Sequence, residues 1–453
     1  MDRRQQISPA RITAFNILQR VEAEKSYAAN LLAANDNQLS AADRRLSYEL
    51  VLGVLRWQLQ LDYLVEKLGN RALQKLDTGV LIALRLGLYQ LRFLSRIPSS
   101  AAVNESVELI KRSRYKSAAG FVNAVLRRAI KDADGILSGE GSNKKPPSSV
   151  LLSHPDWLLE KWSKQFGTEQ TQKLAVANNQ TPATAFRFNP LKADIDQTMK
   201  QITSRGLELT RGKLASTAYY IAKASAAELN DLAESGVIYF QEEASQLVAD
   251  LVSVNPGQKI LDLCAAPGSK TTQIAADMNN QGLLIAADLH PQRLRTLMKV
   301  SKTLAVKIVR PIALNAGYDL PIVNDVTFDA VLVDAPCSGT GTLRHNPEIK
   351  WRLRRDQIEE LGNLQSRILN NASKYVKVDG RLVYSTCSLE REEDENVVLD
   401  FLKSHPDFEL LRLKNVVITE EGFVRTFPHL HGTDGFFAAV LRKTSESGAN
   451  YNC

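Results

Sequence analysis

Cysteine is scarce: Cys264, Cys337, Cys387 and Cys453 are the four thiols in 453 residues, and no two of them stand in a C-x-x-C spacing. Neither a zinc ribbon nor a disulfide framework is indicated, and the four read as free thiols. The six histidines show no ligand spacing with a partner acid, and even His429 and His431, two apart, are not read as metal ligands. No apolar stretch is long enough to span a bilayer, and Met-Asp-Arg-Arg-Gln-Gln at the start is not followed by the apolar core of a signal peptide. A soluble, cytoplasmic, metal-free protein with no membrane partner is expected. Strands are also missing early on, because no convincing period-two pattern appears before residue 135.

The charge is unevenly spread. The chain carries +7, yet residues 1–145 hold 23 Lys and Arg against 14 Asp and Glu, an excess of +9, which leaves −2 for residues 146–453. A polyanion is the natural partner of so basic an amino-terminal part. That part reads as helices. Ser8 and Pro9 open a pattern of Ile12, Phe15, Leu18 and Val21; Ser40 and Asp43 form a capping box before Leu46, Leu50, Val54 and Leu55. Leu81, Leu84, Leu88 and Leu91 repeat the spacing, and Phe121, Val122, Val125 and Leu126 close it. An all-α bundle over 1–140 is the result. Gly, Ser, Pro and charge from Gly135 to Ser149 mark a linker.

Residues 150–240 read as a small α+β subdomain, with a helix after His154-Pro155-Asp156-Trp157 and a strand over Thr184 to Asn189. On that strand Arg187 and Asn189 suit contact with nucleic acid and an exposed strand face equally well. From 241 to 443 strands and helices alternate: Ile260 to Leu263, Leu283 to Ala287, Val306 to Val309, Ala330 to Val333, Leu382 to Tyr384 and Phe436 to Leu441, with a clear helix through Ile358, Leu361, Leu364, Ile368, Ala372 and Tyr375. A mostly parallel, doubly wound α/β sheet is predicted. Residues from Thr444 to Cys453 read as a frayed tail.

The candidate chemistry lies at strand tips. Asp334, Pro336 and Cys337 follow the run Ala330 to Val333, where open α/β sheets hold their ligands, although a strand exit with a turn accounts for them as well. Leu261-Asp-Leu-Cys-Ala-Ala-Pro-Gly-Ser-Lys-Thr-Thr joins a strand to a helix through small residues that let a ligand approach. A phosphate-binding P-loop is ruled out, since Cys264 and Ser269 stand where its glycines belong. Asp288 ends the next strand, twenty residues after Gly268, where a carboxylate commonly holds ribose hydroxyls. A nucleoside cofactor fits this pattern. Cys387 ends a later strand, fifty residues after Cys337. Two thiols and a carboxylate at one sheet edge suit addition of a nucleophile to a pyrimidine and its later removal.

At these blocks the chain resembles the Sun/Fmu-type 16S ribosomal RNA cytosine-C5 methyltransferases. The likeness rests on Asp334-Ala-Pro-Cys337-Ser, on Thr386-Cys387-Ser and on the Leu261 to Gly268 segment. Val103-Asn-Glu-Ser-Val-Glu-Leu-Ile-Lys and Phe121-Val-Asn-Ala-Val-Leu-Arg resemble the NusB-like RNA-binding domain of the small-subunit member, while His154-Pro-Asp-Trp and Gln241-Glu-Glu-Ala-Ser245 resemble its middle part. The resemblance implies a NusB-like bundle, a small α+β linker domain and a Rossmann-like methyltransferase domain. It implies S-adenosylmethionine as cofactor, small-subunit ribosomal RNA as partner and a monomer. Cys387 would attack C6 of cytosine, Asp334 would hold the ring, and Cys337 would assist loss of the C5 proton. Cys264, Ala265, Ala266, Pro267, Gly268, Ser269 and Lys270 would grip the methionine end of the cofactor, and Asp288 its ribose, with Asp334 bordering the same site. Two departures stand out. Ser269 replaces the usual second glycine, which is costly if that position needs a positive φ, and Asn315 stands where an aspartate usually meets the adenine. Arg344, His345, Lys350, Trp351, Arg352, Arg354 and Arg355 come after the Pro-Cys turn as a basic stretch suited to an RNA backbone. Two rivals remain: the same chemistry on transfer RNA, and a non-catalytic RNA-binding or antitermination factor.

Overall fold

The computed structural model describes residues 7–24, 27–35, 38–140, 145–323, 326–413 and 417–444, so Cys453 and the tail beyond 444 lie outside the described residues. The chain divides into two compact units, Met1–Thr181 with Leu343–Arg352, and Pro182–Thr342 with Leu353–Cys453.

The first unit is helical. Its central helix, Thr78–Phe93, buries Val80, Ile82, Ala83, Leu84, Leu86, Leu88 and Tyr89. A helix apolar all round is one enclosed on all sides, and Pro9–Glu24, Ala41–Arg56, Gln58–Gly69, Ser99–Lys111 and Ala119–Ser138 enclose it. The leucine stripe expected there is thus too narrow: Leu84 and Leu88 are buried, but so are residues between them, while Leu81 and Leu91 are half-buried. On the first helix Ile12 is exposed and Ala14, Phe15, Ile17, Leu18 and Val21 face the core. The cap at Ser40 forms, its Oγ accepting from the Asp43 N–H at 3.1 Å. The expected linker starts too early, because Ala119–Ser138 continues through Gly135 until Gly139 caps it at φ 79°; residues 141–144 lie outside the described residues.

The basic stretch after the Pro-Cys turn is turned inward over much of its length. Lys350 is 1% exposed, and its Nζ donates to the carbonyls of Arg56 and Ser153, each at 2.8 Å, and to Asn179 Oδ1 at 3.2 Å. Arg344 is buried and its carbonyl accepts from Arg56 Nη2 at 2.9 Å; Glu348 Oε1 accepts from the Ala28 N–H, and Trp351 Nε1 donates to the Leu55 carbonyl. The RNA role expected for Arg344, Lys350, Trp351 and Arg352 is therefore corrected: Arg344 is buried, and the side-chain N–H groups of the other three donate to carbonyls inside the helical unit. In that run His345, Arg354 and Arg355 are exposed.

The second unit carries two sheets. In the smaller, β1 (Thr184–Phe188), β2 (Thr210–Arg211), β3 (Ala218–Ile221) and β4 (Ile238–Phe240) pair antiparallel in the order β2-β3-β1-β4. Phe186, Phe188, Ile202, Leu207, Ile221 and Ile238 form its core. Arg187 and Asn189 do not point to solvent. Arg187 donates to Gln241 Oε1 at 2.8 Å and Thr272 Oγ1 at 3.0 Å, and Asn189 Nδ2 donates to the carbonyls of Gly236 and Leu304.

The larger sheet contains β5 (Lys259–Leu263), β6 (Leu283–Asp288), β7 (Val309–Ala313), β8 (Phe328–Asp334), β9 (Val376–Thr386), β10 (Phe408–Leu410), β11 (Val424–Arg425) and β12 (Phe437–Lys443). Among the described residues the order is β10-β12-β9-β8-β5-β6-β7, with β11 beside β12. β7, β6, β5, β8 and β9 run parallel, and β10, β11 and β12 join antiparallel. β7 is later than the expected Val306 to Val309, since Pro311 lies inside it; β7 is the edge strand, where a missing N–H costs nothing on the open side. Apolar clusters cover both faces, as parallel sheets require. No helix among the described residues is long and apolar enough to cross a membrane.

In the helical unit Arg85 pairs with Asp62 at 2.7 Å in a nearly waterless setting. Replacing Arg85 by Met leaves Asp62 buried without its partner, and urea denaturation should show a loss of about 3–5 kcal/mol. Adding Asp62→Asn to that variant should restore most of it.

Candidate active site

The site grows from the parallel pairing of β8 with β9, in which Asp334 lies opposite Ser385. The Ser385 hydroxyl donates to Asp334 Oδ1 at 2.9 Å, and Lys270 Nζ reaches Oδ2 at 2.7 Å. Lys270 is itself buried beside the Phe436 ring, 5.1 Å from its centroid. Three residues past Asp334 and two past Ser385, the sulfurs of Cys337 and Cys387 meet at 3.3 Å. The hydrogen bond with Cys387, reinforced by burial and by the charge of Glu393, pushes the Cys337 thiol well above its usual range. Cys337 therefore keeps its proton, in a sulfur–sulfur hydrogen bond in which either thiol can donate.

The residues expected to hold a cofactor gather on the neighbouring strand tips. β5 ends in Cys264 at φ 63°, followed by Ala265, Ala266, Pro267 and Gly268. Gly268 takes φ 106°, and a Cβ there would stand 2.7 Å from Leu297 Cγ, so both conformation and space require glycine. Ser269 is the first residue of the helix Ser269–Asp277 and has no positive φ, so the cost expected for a serine there falls away. Asp288 at the end of β6 is buried: Oδ1 accepts from the His290 N–H at 2.9 Å, while Oδ2 accepts from the Ala266 N–H at 3.2 Å and from Arg293 at 3.1 Å. It ties the loop to β6. Asn315, past β7, is exposed and its Oδ1 accepts from the Gly317 N–H at 3.0 Å, which leaves its amide N–H groups as donors. Burial and the carboxylates of Asp334, Asp288 and Asp262 hold Cys264 as a neutral thiol.

Some members of this constellation escape a reading of the sequence. Glu393, fully buried, accepts from the Ser338 N–H at 2.8 Å, from the Ser338 hydroxyl, from the Ser388 hydroxyl at 2.5 Å and from Gln365 Nε2 at 3.0 Å. Gln365 also donates to the Pro336 carbonyl at 2.9 Å. One carboxylate thus holds the residue after each thiol. Glu392 to Glu395 reads as a solvated acidic run; its one legible signal is its place before the helix Glu395–Ser404, whose first turn favours acids. The Gly341 N–H donates to the Cys387 carbonyl at 3.0 Å, and a Cβ on Gly341 would come within 1.9 Å of the Gly435 carbonyl. Among the described residues no group of three His, Cys, Asp or Glu is placed to hold a metal ion.

Known proteins share these domains. The family model "16S rRNA methyltransferase RsmB/F" matches residues 249–442, "NusB family" matches 8–131, and a ferredoxin-like domain of RsmF/B-like methyltransferases matches 154–228. The "probable ribosomal RNA small subunit methyltransferase B" of Bacillus subtilis is 34% identical over 95% of this chain and 98% of its own length. The chain belongs to this methyltransferase B family. A protein named ribosomal RNA small subunit methyltransferase B from Pseudomonas putida is 33% identical over 96% of this chain and 99% of its own. The crystal structure of PH0851 is 28% identical, with a TM-score of 0.81 over 97% of this chain and 99% of that one. A methyltransferase homologue from Pyrococcus horikoshii, 29% identical, gives a TM-score of 0.58 over 65% of this chain and 97% of its own. As a methyltransferase B family member the protein is an RNA methyltransferase, and the reading as a non-catalytic factor is set aside. The fold is the predicted one: a NusB helical domain, a ferredoxin-like domain and a methyltransferase domain on a mixed sheet.

Two measurements probe this geometry. Glu393→Ala frees both thiol loops, and kcat for RNA methylation should fall about 100-fold, the scale of a misplacement near 1 Å, while Glu393→Gln keeps part of the rate. Burial raises Asp262, on β5 just before the loop of Cys264 to Gly268, to about 7. Its contribution to stability is present below the ordinary carboxylate range and is lost as pH rises towards 7, so Asp262→Asn should flatten the decline in unfolding free energy between about pH 4 and 7.

Proposed function

We propose that the protein methylates C5 of a cytosine in small-subunit ribosomal RNA, with S-adenosylmethionine as donor and a transient bond between Cys387 and C6 of the base. The observation that carries this reading is the pair of sulfurs 3.3 Å apart beside a carboxylate bridged to a buried ammonium. Ribosomal RNA rather than transfer RNA is favoured by the family names of the relatives.

The residues present fit the cofactor. Asp262 Oδ1 is buried without a partner just before the loop, Gly268 leaves room for close approach, and the helix from Ser269 offers N–H groups to a carboxylate. Asp288 would meet the ribose and Asn315 the adenine, with Cys264, Ala265, Ala266, Pro267, Ser269 and Lys270 around the methionine end. When bound, S-adenosylmethionine supplies an electrophilic methyl group.

The chain's own groups do the rest. The thiolate of Cys387 adds to C6, and the ring electrons shift towards C5 and N3. Asp334 holds N3 and the exocyclic amine, and the Lys270 ammonium bridged to Asp334 offsets the charge that develops on N3. Once the sulfur of Cys387 is bonded to carbon, its hydrogen bond no longer holds the proton on Cys337, and that proton passes to water. Cys337 then takes the C5 proton, and the electrons of that C–H bond re-form C5=C6 as Cys387 leaves. The base must be unpaired or flipped out to reach the sulfurs.

Tritium transfer from methyl-labelled S-adenosylmethionine to unmodified 16S ribosomal RNA tests the scheme. Wild type should place label on cytosine C5, Cys387→Ala should place none, and Cys337→Ala should trap an RNA-linked protein band. Label on another atom, or full activity of Cys387→Ala, would sink the mechanism; transfer to transfer RNA alone would change the substrate.

A further inference from the structure

The helix Pro291–Thr303 leaves the sheet edge just after Asp288, and its first turn belongs to the site, since Arg293 donates to Asp288 and to the Ala266 carbonyl. The segment around that turn and beyond it is unusual in charge. Residues 289–318 contain six Lys and Arg and no Asp or Glu, a net of +6. Residues 146–453 sum to −2, so the remainder of that part carries −2 − 6 = −8. A concentrated positive patch thus sits on an otherwise acidic part of the chain.

The patch has a pattern. Arg295, Lys299 and Lys302 fall at i, i+4 and i+7 and are exposed, while Leu294, Leu297 and Ser301 face inward. Neighbours at that spacing stand about 5–6 Å apart, so the three cations form one stripe along a helix about 20 Å long. Exposed Lys307 and Arg310 continue it into edge strand β7, where Arg310 Nη1 donates to the Lys307 carbonyl at 3.0 Å. Arg295, Lys299, Lys302 and Lys307 form no ion pair with a described residue.

Helix energetics do not account for these cations. A basic residue in the last turn suits the dipole and explains Lys302, but Arg293 and Arg295 sit near the amino end, where a cation is unfavourable, and the first turn holds no acid. Asp288 offsets Arg293, but residues 289–318 hold no acid to offset Arg295, Lys299 or Lys302. Solvation alone would be served by mixed charge.

We propose that the stripe of Arg295, Lys299 and Lys302, extended by Lys307 and Arg310, is a docking track for the phosphodiester backbone of the RNA flanking the target nucleotide. It begins at the turn that carries Asp288 and leads the strand away from the thiols, a role the inward-facing stretch at 344–352 does not fill. The inference rests on the chain's reading as an RNA methyltransferase and adds where, on the methyltransferase unit, the backbone is held.

The test measures binding of full-length protein to in-vitro-transcribed 16S ribosomal RNA over a range of salt concentrations. Arg295→Gln/Lys299→Gln/Lys302→Gln keeps helix-forming side chains on an exposed face and removes three charges. Loss of three phosphate contacts should lower the slope of log affinity against log salt by about 2 and weaken binding at low salt by roughly tenfold or more. Lys307→Gln added to it should lower both further. Melting temperature and affinity for S-adenosylmethionine should stay at wild-type values, which separates lost contact from lost folding. An unchanged slope and affinity would overturn the proposal. Because binding is read without turnover, failure of the C5 mechanism would leave this result standing, and intact methylation chemistry would not rescue the track.

Discussion

Parallel pairing of β8 with β9 in a single register is the constraint on which the rest depends. With Asp334 opposite Ser385, the chain needs only three more residues on one strand and two on the other to bring two sulfurs into contact. A slip of one residue would turn every side chain on one strand to the other face and part the sulfurs. The register is held below by apolar packing on both faces of the sheet, and above by polar ties that do not rely on solvent: Lys270 and Ser385 on Asp334, and Glu393 on the serines next to the thiols. In this part of the molecule buried charge serves as a clamp.

The strand tips are legible in the sequence because small residues, turn residues and thiols stand out against apolar runs, and short apolar stretches such as Ala330 to Val333 mark the strands themselves. The helical unit is legible through its period, though a stripe of leucines makes Thr78–Phe93 look one-faced when it is enclosed on all sides. Glu393 is not legible. Its neighbours in sequence are acids, and acid runs usually face water; only the three-dimensional arrival of Ser338, Ser388 and Gln365 makes its burial tolerable. β7 is displaced from its expected position for a different reason, since a proline inside a strand is acceptable only at an edge, and edges are a property of the sheet.

Basic residues mislead in both directions. Lys350 and Arg344 come after the Pro-Cys turn yet belong to the interior, where backbone carbonyls replace water around the ammonium and burial pulls Lys350 well below the usual lysine range. Arg187, a surface candidate by sequence, is instead a brace under the helix that starts at Ser269. The stripe at 295–302, by contrast, is acid-free in the sequence, but only the helix and its exposure put its three cations on one open face.

The path of the chain beyond Cys337 has a practical consequence. Six residues after that thiol, at Leu343, the polypeptide enters the helical unit, and it leaves again after Arg352. The unit is therefore built from two stretches of sequence far apart, and a gene cut near residue 181 would strip the segment of its partners. Trp351 would be left without the Leu55 carbonyl, and the Lys350 ammonium without the carbonyls that replace its water. Such a fragment would keep an aromatic, sticky loop just after its own Pro-Cys turn in sequence, so in this protein the boundary between cassettes cannot be drawn along the sequence.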